Sequence, residues 1–424
     1  MRRRRLRDSS GRLMWACSNP LPRFPPLSVY YSIAALLASV FLLISGNGLI
    51  NTLVPVRGSL EGFSTLTIGL IGSVYFIGML SGTIAAPLVL RRAGHIRAFC
   101  AFITMAIVAT LALPAAVHPL AWVVLRGIIG FAFAGLYGVI EAWISSKSKN
   151  ENRGRVYGAY QLVNFAGSAV GQQLLAYGEP QSFALFSLVA GLFALAILPL
   201  AFTRAEEPDV PQAVKLDIPW LIKTSPVGAM TAFVVGCANG SFWSLSPLYG
   251  LDHGLVASGL AAFLSSVVVG SAIAVWPVGR LSDMADRRQI IVACAIAGAA
   301  VELALWNGGV LSLPALMALG FALGCSVMVL YTLAVSQTND RTGPENAVMV
   351  SSGLLFLYCA GAIVAPLIGS ALMGWLGTAS LFGMNCVLHL ALAAFTLWRI
   401  MLRVRAAPGV QPEDVAAATG PGLP

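Results

Sequence analysis

The chain has 424 residues, 58% of them hydrophobic and only 10% charged, with a formal net charge of +9. Soluble domains carry about 25% charged residues, and in water a chain of this make-up would expose apolar surface and aggregate. The composition therefore excludes a set of ordinary soluble domains and points to a polytopic membrane protein.

The first segment, MRRRRLRDSSGRLMWACSNPLPRFPPL, is basic and then rich in proline. A secretory signal would follow its basic region with an apolar core, but Asp8, Ser9, Ser10 and several prolines intervene. Residues 1–28 are expected to form a disordered cytoplasmic tail touching anionic lipid. The arginine run is too short to imply nucleic-acid binding. A membrane span needs about 20 mainly apolar residues. Twelve segments qualify, near 29–54, 66–90, 96–117, 119–144, 156–178, 182–203, 226–250, 256–280, 289–308, 312–336, 347–373 and 378–402. The one long connection, 204–225, is charged and contains three prolines. The expected organisation is a six-helix bundle over 29–203, a cytoplasmic linker, a second bundle over 226–402 and a disordered tail over 403–424. If the N-terminus is cytoplasmic, every lysine and arginine except Arg57 and Arg126 falls on the cytoplasmic side. The excess of positive charge on inside loops then predicts that both termini are cytoplasmic.

Polar residues stand out against this background. Span one carries Asn47 and Asn51. Span four, LRGIIGFAFAGLYGVIEAW (125–143), holds Arg126 and Glu141 fifteen residues apart. On a helix that separation is a rise of about 22 Å, so the two cannot reach each other. A charge at bilayer depth faces a wet cavity or a counter-charge, and each of these two needs its own partner. In span five Tyr157, Gln161, Asn164, Ser168 and Gln172 share one helical face, which either lines water or joins helices. Span seven offers Asn239, Ser241 and Trp243, and span nine holds Glu302. The histidines at 95, 118, 253 and 389 show no paired spacing and read as loop or packing residues. Among the seven cysteines no CxxC pair occurs, so neither a disulfide framework nor a zinc site is implied. No GxxxxGK[ST] loop is present, which removes ATP as an energy source within this chain. No HExxH and no paired-acid constellation appears, so no enzyme, metal or cofactor is expected.

The halves resemble each other. GFAFAG (130–135) in span four and GFALGC (320–325) in span ten lie 190 residues apart, and IGLIGSVYFIG (68–78) and SGLAAFLSSVV (258–268) keep that offset in spans two and eight. Two related bundles with a site between them is the build of a secondary transporter. Between spans eight and nine lies GRLSDMADRRQ (279–289). Its Gly279, Leu281, Asp283, Arg287 and Arg288 match the loop signature G-x-L-a-D-r-x-G-R-[RK] of the major facilitator superfamily, with Asp286 in place of the second glycine. The first-half copy, PLVLRRAGHIR (87–97), has Pro87 and Arg91 where glycine and aspartate belong. The chain resembles the YcaD-like branch of that superfamily in its NTLVP (51–55), its span-four Arg126 and Glu141, its Arg153–Gln172 run, and the segments Pro247–Tyr249 and Trp276–Asp283.

The resemblance implies an all-α fold of twelve transmembrane helices in two pseudo-symmetric six-helix bundles, embedded in the lipid bilayer of the cytoplasmic membrane. It implies a monomer that moves a small-molecule substrate by alternating access, driven by a proton or ion gradient or acting as a uniporter. A transporter-like receptor is less expected, because no large cytoplasmic domain is present. It further implies a central cavity lined by spans one, four, five and seven, hence by Asn47, Asn51, Arg126, Gln161, Asn164, Gln172, Asn239 and Trp243. Arg126 is either an anchor for an anionic group or a structural brace. Glu141 is either a latch to Arg91 or Arg92 or a titrating carboxylate, the latch being preferred. Gly279, Asp283, Arg287 and Arg288, with Arg91 and Arg92 opposite, form the conformational-switch loops. Glu302, on a peripheral helix, is expected outside the site.

Overall fold

The computed structural model describes residues 6–7, 13–14, 27–147, 153–201, 216–309 and 311–406. Most of the expected 1–28 tail, most of the linker and the chain beyond 406 lie outside them. Apart from a two-residue antiparallel pairing of β1 (Leu6–Arg7) with β2 (Leu13–Met14), regular structure among the described residues is helical. The first half comprises α1 (Leu27–Leu60), α2 (Thr65–Ala93), α3 (His95–Ala115), α4 (Pro119–Lys147), α5 (Arg153–Leu174) and α6 (Phe183–Leu195) continued by α7 (Ile197–Ala201). The linker contributes α8 (Ile218–Thr224), capped by Asp217, which accepts from the Trp220 N–H at 2.9 Å. The second half comprises α9 (Pro226–Asp252), α10 (Ala257–Met284), α11 (Arg287–Asn307), α12 (Leu313–Ser326) continued by α13 (Leu330–Thr342), α14 (Ala347–Leu376) and α15 (Ser380–Ala406).

Among the described residues ten helices are long and apolar enough to cross a membrane, or eleven if α8 and α9, bent by 115°, count as one span. The expected span outside this count is α5. Its polar stripe lowers its hydropathy, and it is held instead by packing against α1 and α10. Two boundaries differ from expectation. Arg57, expected in an outside loop, lies in the last turn of α1, where it pairs with Glu61 at 2.6 Å and donates to the Pro180 carbonyl at 3.3 Å. The final helix continues to Ala406, into the segment expected to be tail.

The duplication read from the sequence is visible as packing. In the first half α1 packs on α5, α2 on α4 and α3 on α6; in the second α9 packs on α14, α10 on α12 and α11 on α15. Glycines set the closest of these approaches. A Cβ on Gly78 would lie 2.0 Å from the Gly127 carbonyl oxygen, and one on Gly130 2.0 Å from that of Tyr75. In the second half a Cβ on Gly270 would lie 2.1 Å from the Phe321 oxygen, and one on Gly324 2.0 Å from that of Val267. Gly130 therefore corresponds to Gly324, not to Gly320 as the matching hexapeptides suggest. A small correction of register follows, because loops of unequal length shift the offset between spans.

The halves meet tightly at one end. There Gly69 sits under Ser370 and Pro366, and Gly72 under Ser244, with hypothetical Cβ atoms only 2.2 and 2.3 Å from the two serine hydroxyls. Between α5 and α10 Gln173 Nε2 donates to Ser265 Oγ at 2.9 Å, and Ser265 Oγ donates to the Ala169 carbonyl at 3.3 Å. At the opposite end a Cβ on Gly138 or Gly279 would meet nothing within 4 Å, and the loop residues Arg91, Arg92 and Asp283 are exposed. A closed end and an open end around one central interface is the geometry of a molecule caught in one of two states.

The structure gives one of the histidines, read as loop or packing residues, a specific partner. His389 on α15 is fully buried and pairs through Nδ1 with Glu302 Oε2 on α11 at 2.8 Å. The sequence hides this pairing because the partners are 87 residues apart. Glu302 lies outside the central cavity, as expected for its helix.

Two measurements follow. Gly72→Leu should hold the closed end apart, so the distance between spin labels at positions 61 and 376 should lengthen relative to the parent protein; an unchanged distance would show that close approach at Gly72 is not needed. Glu302→Leu or His389→Leu alone should lower stability in detergent by about 1–3 kcal/mol, because each leaves a buried polar partner without its hydrogen bond. Replacing both with apolar residues of similar volume should recover most of that loss.

Candidate substrate cavity

A cavity of about 340 Å³ lies between the halves on the inner side of the closed end. From α1 it is lined by Asn47 and Asn51, from α2 by Tyr75 and Phe76, and from α4 by Arg126 and Tyr137. The α5 residues Asn164, Phe165, Ser168 and Gln172 also face it, and across the interface so do Trp243 and Ser244 on α9 and Tyr358 on α14. Phe76 and Tyr358 meet edge to face at 6.4 Å across the divide between the halves.

Arg126 dominates the electrostatics. Its side chain is 5% exposed. Nη2 donates to Asn51 Oδ1 at 2.9 Å, and the guanidinium carbon stands 4.5 Å from the centre of the Tyr75 ring. The Nε and Nη1 groups have no hydrogen-bond partner, and no acid pairs with Arg126 among the described residues. A buried arginine at membrane depth costs about 2.5–3.5 kcal/mol on insertion scales, and an unpaired buried donor adds about 1–3 kcal/mol. The Tyr75 ring face offsets part of this through its quadrupole. Asn47 stands between the hydroxyls of Tyr75 and Tyr137, with its own Oδ1 unpartnered.

The remaining expected positions divide. Gln172 accepts from the Thr52 hydroxyl, and Asn164 donates to the Tyr160 carbonyl at 2.8 Å, so both amides are partly used in holding helices. Gln161 is exposed and does not line the cavity. Asn239 lies one layer behind, buried beside the cavity residue Tyr358 with its Oδ1 unpartnered. Tyr75, Phe76 and Tyr358 were not singled out as cavity residues from the sequence, because aromatic rings in an apolar span look like packing. The spacing of Tyr75 relative to Gly72 and Gly78 is the one available signal, since those glycines mark the two faces of α2 that pack closely.

Glu141 is exposed toward the open end, and its charge reaches Tyr137, Tyr160 and, across the divide, Tyr331. No ion pair joins it to Arg91 or Arg92, both of which are exposed. In this state, among the described residues, the preferred latch pair of Glu141 with Arg91 or Arg92 is not made. The switch loop of the second half is built as its signature suggests, but within that half. Arg287 pairs with Asp283 at 2.8 Å and with Asp340 on α13 at 2.5 Å, and donates to Ser282 Oγ at 2.9 Å. This ties α10, α11 and α13 together. Asp286, in place of the usual glycine, caps α11 by accepting from the Arg288 N–H at 3.0 Å. The hydrogen-bonded Arg288 guanidinium holds the Asp286 carboxyl below the usual carboxylate range. Gly279 faces open space.

Two similar bundles, a cavity between them and a charged loop after α10 are the features on which comparison with known proteins turns. A sequence model of the Major Facilitator Superfamily matches residues 36–301 and 228–421. The chain belongs to the major facilitator superfamily. It is 29% identical over 343 residues to the uncharacterized MFS-type transporter YcaD of Escherichia coli O7:K1 (strain IAI39 / ExPEC), a match that covers 80% of this chain and 88% of that protein. In fold it is similar to the nucleoside transporter NupG, with a TM-score of 0.73 at 14% identity, covering 86% of this chain and 98% of that one. It is also similar to a bacterial homologue of the human lysosomal transporter Spinster in an inward-facing, occupied conformation, with a TM-score of 0.71 at 16% identity over 88% and 97% of the two chains. Membership makes this superfamily protein a multi-pass membrane transporter of a small molecule.

Proposed function

We propose that this superfamily member is a secondary active transporter of the cytoplasmic membrane that moves a small solute by alternating access, coupled to a proton or ion gradient. The observation that carries this reading is Arg126: a buried guanidinium on the cavity wall with two nitrogens lacking acceptors and, among the described residues, no acid to pair with. Such a group faces a wet cavity or a counter-charge, and its free N–H groups are placed to receive an anion. Arg126 then anchors an anionic group of the substrate, Asn51 and Tyr75 hold the guanidinium in place, and Asn47, Asn164, Gln172 and Trp243 shape the rest of the site. Asn239 acts through Tyr358. The loop charges support cytoplasmic termini, and in that orientation the open end faces the cytoplasm. A complete cavity within one chain supports a working monomer.

The coupling group in this reading is Glu141. It lies on the same helix as Arg126, faces the open end, and among the described residues has no cation paired with it. A carboxylate that takes up a proton there would lose its charge before the open end closes over it, and so lower the cost of closure. The Arg287 cluster keeps the second bundle rigid as the halves rock, and Arg91 and Arg92 approach it only in the other state.

The test is transport in proteoliposomes, with solutes first selected by thermal stabilisation of the purified protein. Arg126→Gln should lower transport by about 10- to 150-fold in a protein that still inserts and folds, since a charge-assisted hydrogen-bonded pair contributes about 1.5–3 kcal/mol; unchanged transport would make Arg126 a brace. Glu141→Gln should retain solute exchange at equal concentrations on both sides but lose accumulation against a gradient. Full accumulation by Glu141→Gln would move coupling elsewhere, and failure of the parent protein to accumulate at all would make it a uniporter.

A further inference from the structure

We propose that the cavity takes a singly charged organic acid with a flat, apolar body, of which an aromatic monocarboxylate is the simplest form. This rests on the reading of the cavity as the transport site and names the chemical class of its substrate.

The charge count comes first. Arg126 is the one ionised side chain among the residues lining the cavity. A cation would be repelled. A neutral ligand would leave the Arg126 charge without a counter-ion, as the protein itself does now. A dianion, such as a phosphate monoester, would bring a second charge into a chamber with nothing to meet it, and burying an unpaired charge is strongly unfavourable. A single carboxylate meets one of the free donors, Nε–H or Nη1–H, and brings the chamber to neutrality.

The remaining walls describe the body of the ligand. Part of the polar capacity is already spent: Asn51 Oδ1 on Arg126, Gln172 Oε1 on Thr52, and the Asn164 amide on the Tyr160 carbonyl. Asn47 Oδ1 remains unpartnered and can take one further polar contact. The largest side chains of the remaining wall are aromatic. Tyr75, Phe76, Tyr137, Phe165, Trp243 and Tyr358 face the chamber from both halves, and rings prefer edge-to-face or offset contacts with other rings. At about 340 Å³ the chamber lies at the small end of ligand pockets, which run from about 300 to 1,000 Å³. The acid is thus held by the first half through Arg126, and the apolar body is gripped between Phe76 of that half and Trp243 and Tyr358 of the other. Binding then draws on both halves at once, which is what a substrate must do to favour closure.

The experiment is binding by titration calorimetry to the full chain purified in detergent, with five probes: phenylacetate, its neutral analogue 2-phenylethanol, the cation phenethylamine, the dianion phenyl phosphate, and acetate, which lacks the ring. Phenylacetate should bind at least about tenfold more tightly than each of the others, as one charge-assisted hydrogen bond suffices for that factor. Arg126→Lys should weaken phenylacetate while keeping its preference over 2-phenylethanol, and Trp243→Ala should weaken phenylacetate but leave acetate unchanged. Equal binding of 2-phenylethanol, tighter binding of phenyl phosphate, or no binding of phenylacetate overturns the assignment. Flux of the same probes in proteoliposomes separates the two claims. Phenylacetate that binds without being transported contradicts the transport reading and leaves the class of ligand standing. Transport of a neutral solute with no phenylacetate binding does the reverse.

Discussion

A guanidinium buried at membrane depth without a counter-ion is the constraint on which the site depends. Arg126 is held by one amide oxygen and one ring face, and neither neutralises it. Lipid cannot supply the missing charge, and water reaches the group only through the cavity. The helix that carries it must therefore face a chamber and not the bilayer. That requirement fixes the rotation of α4, and with it the places of Tyr137 on the cavity wall and of Glu141 toward the open end. The chamber itself exists only because two bundles meet along an interface that is tight at one end and apart at the other.

That interface rests on small residues. Gly78 and Gly130 let α2 and α4 touch backbone to backbone, and Gly270 and Gly324 do the same for α10 and α12. Each bundle is thereby stiffened internally, so relative motion is left to the contacts between bundles. Those contacts are of a different kind. Gly69 and Gly72 beneath serine and proline, with the short Gln173–Ser265–Ala169 chain of hydrogen bonds, form a contact that closes well but holds few partners. The buried Glu302–His389 pair belongs to the first kind: it joins α11 to α15 within one bundle and lies away from the cavity.

Much of this fold was legible in the sequence, because a bilayer enforces long apolar segments and the loops carry their charges openly. The polar stripe of α5 reads correctly as a helical face, and three of its members, Asn164, Ser168 and Gln172, line the cavity, while Gln161 does not. Periodicity places residues on a face but does not say how far along the helix the chamber extends. Arg126 stood out because a charge in an apolar segment has no neutral explanation. The ring surface of Tyr75, Phe76 and Tyr358 was hidden, since the same residues serve equally as packing. The His389–Glu302 contact was hidden by distance along the chain, and the absence of a Glu141 pair with Arg91 or Arg92 by conformation: a sequence does not record which end of the molecule stands open. The register of the repeat was off for a simpler reason, in that matching short glycine motifs ignores unequal loops.

The most direct test of Arg126 as the completing partner of an anionic substrate is a structure of the protein with 4-iodophenylacetate bound, the iodine located by its anomalous signal. Carboxylate density within hydrogen-bond distance of Nε–H or Nη1–H of Arg126, with the iodine directed among Phe76, Trp243 and Tyr358, is the result expected. Iodine outside the cavity, or a cavity holding the probe with its carboxylate turned away from Arg126, would contradict it.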